Sequence, residues 1–175
     1  MSFSPDLYVK TLNFAARAHG DQKTPIGLPY VVHLTSVCME LSRALRAEPD
    51  RDEDLAITCA LLHDVIEDTE TTREAVEQEF GAKVAQGVLA LTKNEALPKG
   101  DQMADSLRRI RSQPPEIAMV KLADRITNLA PPPPHWTAEK ITRYRAEAEQ
   151  IVQALGEVSP FLSLRFRGRL VGYPR

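Results

Sequence analysis

Three observations predict an all-α fold for this chain of 175 residues. Apolar residues recur at helical spacing along most of it, and helix-start and helix-stop residues punctuate those stretches. No convincing strand alternation occurs before residue 160. The length fits one domain with a core large enough to fold alone.

Ser4-Pro5-Asp6 carries a helix-start signature of cap, proline and first-turn acid, and opens an amphipathic helix over residues 7–19. Residues 20–29, with Pro25, Gly27 and Pro29, read as a loop. A second helix is predicted over 31–47, with Val32, Val37, Met39, Leu41 and Leu45 toward the core, and Glu48-Pro49-Asp50 breaks it. The third starts near Asp52 and runs through the apolar stretch Leu55-Ala56-Ile57-Thr58-Cys59-Ala60-Leu61-Leu62 into His63-Asp64-Val65-Ile66-Glu67-Asp68. Short helices follow over 71–80 and 82–91, separated by Gly81. After a loop at 94–101, 103–110 is helical, Pro115 opens 116–129, and the prolines at 131–134 end that helix. A long helix over 137–155 gains support from Glu139-Arg143 and Arg143-Glu147 pairs. From Phe161, apolar residues alternate with Arg165, Arg167 and Arg169, which leaves a strand-like arm, a final helical turn or a partly ordered end. The expected organisation is one domain over 1–160 and a basic C-terminal tail at 161–175.

The composition excludes some partners. A net charge of -2 gives no global attraction to nucleic acid or to an anionic membrane. No apolar run approaches the about 18–20 residues a membrane span needs, and the N-terminus lacks a secretory signal pattern. Cys38 and Cys59 sit in apolar helical patterns and make no disulfide framework. A cytoplasmic location is expected. A homo-oligomer contact is the second use the basic tail allows, after that of a solvated end.

The stretch from His63 to Asp68 puts four ionisable residues at the end of an apolar helix. Burying such charges without partners costs several kcal/mol per ion, to order of magnitude. At roughly 100° per residue, His63, Asp64, Glu67 and Asp68 share one helical face, with Leu61, Leu62, Val65 and Ile66 opposite. That pattern suits a metal site or an acid/base site. One helix cannot supply all the ligands. His33, flanked by Val31 and Val32, and Asp124, after Leu122-Ala123, complete a set of His33, His63, Asp64 and Asp124. Such mixed nitrogen and oxygen ligation suits Mn, Fe or Zn better than Mg or Ca. Glu67 and Asp68, one turn beyond, are placed to act on water as general base or orienting group, and hydrolysis of a phosphate ester or anhydride follows.

These residues also resemble a family. His33, His63-Asp64 and Asp124 are similar to the pattern of HD phosphohydrolases. Ala18-His19 with Gln22, Gly27-Leu28-Pro29-Tyr30-Val31-Val32-His33, Ala60 to Thr69, Phe80-Gly81-Ala82 with Val84, Leu91-Thr92-Lys93, and Lys121 to Arg125 with Asn128-Leu129 resemble, in order, the motifs of RelA/SpoT-type hydrolase domains. The resemblance spans about residues 7–155. It implies an HD-domain helical bundle acting as a stand-alone small alarmone hydrolase. The implied reaction is Mn2+-dependent removal of pyrophosphate from the ribose 3′ position of guanosine tetra- or pentaphosphate. It also implies metal ligation by His33, His63, Asp64 and Asp124, and water activation by Glu67 and Asp68. Substrate contacts fall on Asn128, Lys140 and Tyr144, the last two four apart on one helix face.

The loop departs from the pattern. Thr24 and Pro25 stand where the family carries a basic pair, one member of which stacks on guanine, and Lys23 is the nearby charge. The base is therefore left open between guanine and adenine, (p)ppGpp and (p)ppApp. The residues alone also leave room for a phosphomonoesterase acting on another nucleotide and for a non-catalytic alarmone-binding module. His19 is expected as a packed core histidine, His135 and Trp136 as packing for the proline loop. Asn128 as a plain helix cap, and Lys140 and Tyr144 as a solvated face, stay as alternatives.

Overall fold

The computed structural model describes residues 4–174. Among them the chain forms helices and turns and no β-strand, apart from an isolated bridge between Lys23 and Pro29. The elements are α1 (Pro5–His19), α2 (Val31–Ala47), α3 (Glu53–Leu62), α4 (Val65–Asp68), α5 (Arg73–Phe80), α6 (Ala82–Leu91), α7 (Lys99–Arg111), α8 (Pro115–Asn128), α9 (Ala138–Leu155), a 3-10 turn (Gly156–Val158) and α10 (Pro160–Gly172).

The caps follow from residue chemistry. Ser4, Asp52, Thr72, Thr137 and Ser159 each accept a backbone N–H of the first turn with a side-chain oxygen. α3 is the central element. All residues from Leu55 to Leu62 are buried, and α1, α2, α6 and α8 pack around it. At Gly87 the approach of α6 is so close that a Cβ would lie 2.5 Å from Ile117 Cδ1 and 3.1 Å from Cys59 Sγ, so any larger residue requires the Ile117 side chain to move. The start of α8 is tied to the start of α3 by buried Glu116, which accepts the Asp52 N–H at 2.9 Å.

Three expectations need correction, the first being that Val32 and Met39, expected toward the core, lie on the exposed side of α2 while Val37, Leu41 and Leu45 are buried. The single helix from Asp52 to Asp68 is broken: α3 ends at Leu62, His63 and Asp64 form a turn, and α4 is one short helix. The charged residues therefore do not form one stripe of an amphipathic helix. α3 is apolar on every side, and the turn at its end delivers His63 and Asp64.

The segment 161–175, expected as a basic tail, is α10 up to Gly172. Leu162, Phe166, Leu170 and Tyr173 are buried in the common core, at a spacing of three to four that is helical rather than alternating. Ser159 caps the helix at Leu162 N, Glu48 accepts the Phe161 N–H, and Arg145 donates to the carbonyls of Leu170 and Tyr173, each at 2.8 Å. The alternating arginines obscured that pattern because they occupy the solvent side of the same helix. Among the described residues, no helix is long and apolar enough to cross a membrane.

Candidate metal centre and cleft

Three elements meet at the C-terminal end of α3. α2 brings His33 from its first turn, the α3–α4 turn brings His63 and Asp64, and the last turns of α8 bring Asp124. His63 Nε2 lies 3.2 Å from His33 Nε2 and 3.0 Å from Asp64 Oδ2. Asp124 Oδ1 lies 3.4 Å from His33 Nε2 and 3.7 Å from His63 Nε2. His33, His63 and Asp64 offer donor atoms that all lie within 4.8 Å of one another. His63 and Asp124 are buried and Asp64 is half-buried.

The surroundings orient each donor. His63 Nδ1 sits 2.7 Å from the Ala60 carbonyl, so this nitrogen carries the proton and Nε2 is left with a lone pair when the ring is neutral. The Thr127 hydroxyl lies 3.4 Å from His33 Nδ1. Tyr30 donates its hydroxyl to Asp64 Oδ2. Asn128 donates to Asp124 Oδ1 at 2.6 Å, and Lys121 reaches Asp124 Oδ2 at 3.3 Å. These partners hold the rotamers of the donors.

Two imidazole nitrogens facing each other at 3.2 Å, with carboxylate oxygens beside them, are poorly satisfied by hydrogen bonding alone. One shared proton serves only one of the contacts. The electrostatics carry the same mark. Burial pulls the His63 pKa down, yet the charges of Asp64 and Asp124 raise it well above the usual histidine range. Burial pushes both carboxyls up, but His63 beside Asp64, and Lys121 with both histidines beside Asp124, hold them below the ordinary carboxylate range. Two neutral imidazoles and two carboxylates converging in this way fit a divalent first-row cation.

Glu67 and Asp68 stand one turn along α4, outside that close group of donors. Glu67 accepts from the Lys93 ammonium and from the Lys93 backbone N–H at 2.9 Å. Burial lowers the Lys93 pKa, but the hydrogen bond and charge of Glu67, with Asp64 and Asp124 further off, raise it overall, so the ammonium is fixed. Asp68 accepts from Gln22 Nε2 at 2.9 Å, and Gln22 Oε1 in turn meets His19 Nδ1 at 2.7 Å. His19 is buried and stacked on Tyr30, with ring centroids 4.6 Å apart.

A cleft of about 960 Å³ opens beside the donors, lined in part by His33, Thr127 and Asn128. That volume is at the upper end of the roughly 300–1,000 Å³ of small-molecule sites. Lys23, Asn128, Lys140 and Tyr144 all line it. Lys140 lies over the Trp136 ring at 4.2 Å, and the Arg125 guanidinium over the Tyr144 ring at 4.1 Å. Trp136 and Tyr144 meet edge-on at 5.2 Å, so the 131–136 segment is a wall of the cleft as well as a stop for α8. Pro25, Ile26, Leu28 and Met39 give the cleft apolar lining, with Ile26 80% and Met39 65% exposed.

Tyr30, Lys93 and Lys121 escaped assignment from the sequence. Each stands inside a quoted motif, but only the fold puts its polar atom against Asp64, Glu67 or Asp124. Arg169 and Tyr173 of α10 also line the cleft, and nothing in the linear pattern of a basic tail points there.

Residues 11–157 match the model of the HD domain. The chain is 35% identical over 158 residues to the guanosine-3′,5′-bis(diphosphate) 3′-pyrophosphohydrolase MESH1 of Danio rerio, covering 87% of this chain and 86% of that one. It is 34% identical over 153 residues to the protein of the same name from Homo sapiens, covering 84% and 83%. A solved structure, described as a metazoan ortholog of SpoT that hydrolyzes ppGpp, superposes with a TM-score of 0.82 at 28% identity, with 98% of each chain covered. Motif order, helical architecture and the His/Asp cluster agree with these matches, and the chain belongs to the HD domain family, among its RelA/SpoT-type hydrolases.

Proposed function

We propose that the chain is a metal-dependent 3′-pyrophosphohydrolase of alarmone nucleotides, (p)ppGpp or (p)ppApp, with Mn2+ as its cation. The observation that carries this reading is the convergence of His33, His63, Asp64 and Asp124 beside a nucleotide-sized cleft. The relatives named for the same activity support it.

When bound, the cation supplies positive charge that neutralises phosphate oxygens and makes water more acidic. His33 and His63 offer Nε2, and Asp64 and Asp124 their carboxylates, to hold it. Tyr30, Asn128 and Lys121 keep those carboxylates in place. Glu67, assisted by Asp68, accepts the proton of the attacking water, and Lys93 fixes the Glu67 carboxylate. The water oxygen bonds to the phosphorus attached at the ribose 3′ oxygen. The bond from that phosphorus to the ribose 3′ oxygen breaks, the 3′ oxygen takes up a proton to become a hydroxyl, and pyrophosphate leaves with the oxygen of the water. Lys23 and Lys140 bring charge to the phosphates, while Asn128 and Tyr144 contact the nucleoside.

The apolar lining of Pro25, Ile26, Leu28 and Met39 offers a base dispersion contacts without a guanidinium to stack on it. That favours turnover of adenine as well as guanine alarmones. Incubating the Mn2+-loaded protein with each alarmone and measuring the phosphate products tests both points. Pyrophosphate is the expected product. Orthophosphate would point to a phosphomonoesterase, and binding without turnover to a sensing module.

A further inference from the structure

The second half of α10 borders the cleft. Near its middle, Arg165 grips Glu40 of α2 with contacts of 2.8–3.3 Å. At its end, Tyr173 packs against Tyr144 of α9, with ring centroids 5.9 Å apart. Arg169 lies halfway, one helical turn from Arg165 and on the same face, and it lines the cleft. Arg167, about 200° away from Arg165 on the helix, lines a different groove, between α9 and α10.

The position of Arg169 is built rather than accidental. Phe166 and Leu170 are buried on the core side of the same helix, and Arg145 clamps the helix end through the Leu170 and Tyr173 carbonyls. The guanidinium itself is committed to nothing: among the described residues it makes no ion pair or hydrogen bond. The acid on this wall, Glu40, is already neutralised by Arg165. Lys23, Lys140 and Arg169 therefore leave the cleft cationic, although the chain carries a net charge of -2.

The metal donors lie near the start of α2 and the end of α8, whereas Glu40, which Arg165 holds, is seven residues beyond His33, roughly 10 Å along α2. A nucleotide whose 3′-pyrophosphate is at the donors must present its remaining charge, the 5′ phosphates, elsewhere in the same cleft. We propose that Arg169 is the residue that binds the 5′ phosphates, and so makes α10 a determinant of which nucleotides are accepted. Guanidinium suits this role because its planar fork can hold two phosphate oxygens at once. It also returns to the cleft, from α10, a planar cation that the loop at Thr24 and Pro25 lacks. The assignment rests on the alarmone reading for the orientation of the nucleotide.

Arg169→Ala removes an exposed side chain, so its thermal unfolding should overlay that of the parent. Two measurements then test the proposal. In turnover, the KM for an alarmone bearing a 5′-diphosphate should rise about tenfold with kcat little changed, as loss of one charged hydrogen-bonding contact predicts. The preference over a nucleoside 3′-pyrophosphate without 5′ phosphates should shrink by the same factor, and Arg169→Lys should recover part of it. In binding, guanosine or adenosine 5′-diphosphate, which has no 3′ group to hydrolyse, should bind the parent and lose about tenfold in affinity in Arg169→Ala by titration calorimetry. Equal affinity of parent and variant for the 5′-diphosphates, or an unchanged preference in turnover, would overturn the assignment. Arg169-dependent binding of the 5′-diphosphates in a protein that releases no pyrophosphate would instead overturn the alarmone reading and leave Arg169 as a 5′-phosphate site.

Discussion

Asp105 and Asp64 are both acids held against basic neighbours in the same small domain, and their surroundings differ in one respect that matters. Asp105, 6% exposed, accepts from Arg108 through one oxygen and from Arg109 Nε at 2.7 Å through the other. Arg109 then spends its remaining donors on the carbonyls of Leu89, Ala90 and Thr92 at the end of α6. Each charge there has a partner of opposite kind, so the cluster is complete and its work is to pin α7 to α6. Around Asp64, donors are too few: His33 Nε2, His63 Nε2 and carboxylate oxygens converge within a few ångströms, and a proton on His63 Nε2 serves only one of those contacts. Hydrogen bonding closes the first cluster and leaves the second wanting a cation. Buried charge by itself therefore says little about function; the match of donors to acceptors separates a staple from a site.

The sharpest way to break this comparison is to remove a donor. His63→Ala and Asp64→Ala are expected to lose the bound cation and pyrophosphate release together, by well over the roughly 10–100-fold that loss of an outer hydrogen-bonding partner costs a metal site. Metal content and product release measured on the same preparation check it, and retention of the cation in either variant would remove that residue from the ligand set.

Glu67→Gln comes next. It keeps the size of the side chain and, through the amide oxygen, one of the two contacts from Lys93, but removes the base. Turnover should fall by about 10²-fold or more while the metal stays bound. If the metal left with the activity, Glu67 would belong with the donors rather than with the water.

Much of this contrast could be read before the fold was known. His33, His63, Asp64 and Asp124 were legible because each stands in or beside an apolar stretch where a charge is anomalous, and prolines follow closely on the ends of α2 and α8, which carry His33 and Asp124. The break at His63-Asp64 was not legible, since neither residue is a helix breaker and both have helical backbone angles. α10 was hidden for another reason. Arginines at every second position imitate strand alternation, and the true period, Leu162, Phe166, Leu170, emerges only once one knows which side faces α8 and α2. The polar partners Tyr30, Lys93 and Lys121 are long-range or cross-turn pairings, and spacing in a sequence does not encode which of two nearby polar groups a side chain will meet.

The complete cluster should respond in stability rather than in chemistry. Arg109→Ala strands the α6 carbonyls and is expected to destabilise the fold by about 2–3 kcal/mol, read from urea unfolding of the metal-free protein. Metal bound per folded molecule should not change. A smaller effect is expected from Tyr30→Phe, which deletes only the hydroxyl on Asp64: about tenfold in metal affinity, the low end for an outer partner, with urea stability nearly intact. Together these two variants would exchange readouts if the roles of the clusters had been assigned the wrong way round.

The smallest effect expected is in acid. The hydrogen bond from Arg109, the leading cause, outweighs burial and with the charges of Arg109 and Arg108 holds the Asp105 carboxyl below its ordinary range. In the unfolded chain the same group titrates near about pH 3.9. A carboxyl whose pKa is lower folded than unfolded contributes stability that is fully present above the unfolded value and is lost as the pH falls through the folded one. The parent protein should therefore lose stability on acidification below about pH 4 in part through Asp105. Arg109→Ala, with the leading cause removed, should start less stable and lose less over the same interval. Urea midpoints of both proteins, metal-free and taken from about pH 6 down to about pH 3, give the two slopes. Parallel slopes would mean that Asp105 draws its low pKa from Arg108 instead, and that the exposed arginine rather than the carbonyl-capping one closes the cluster.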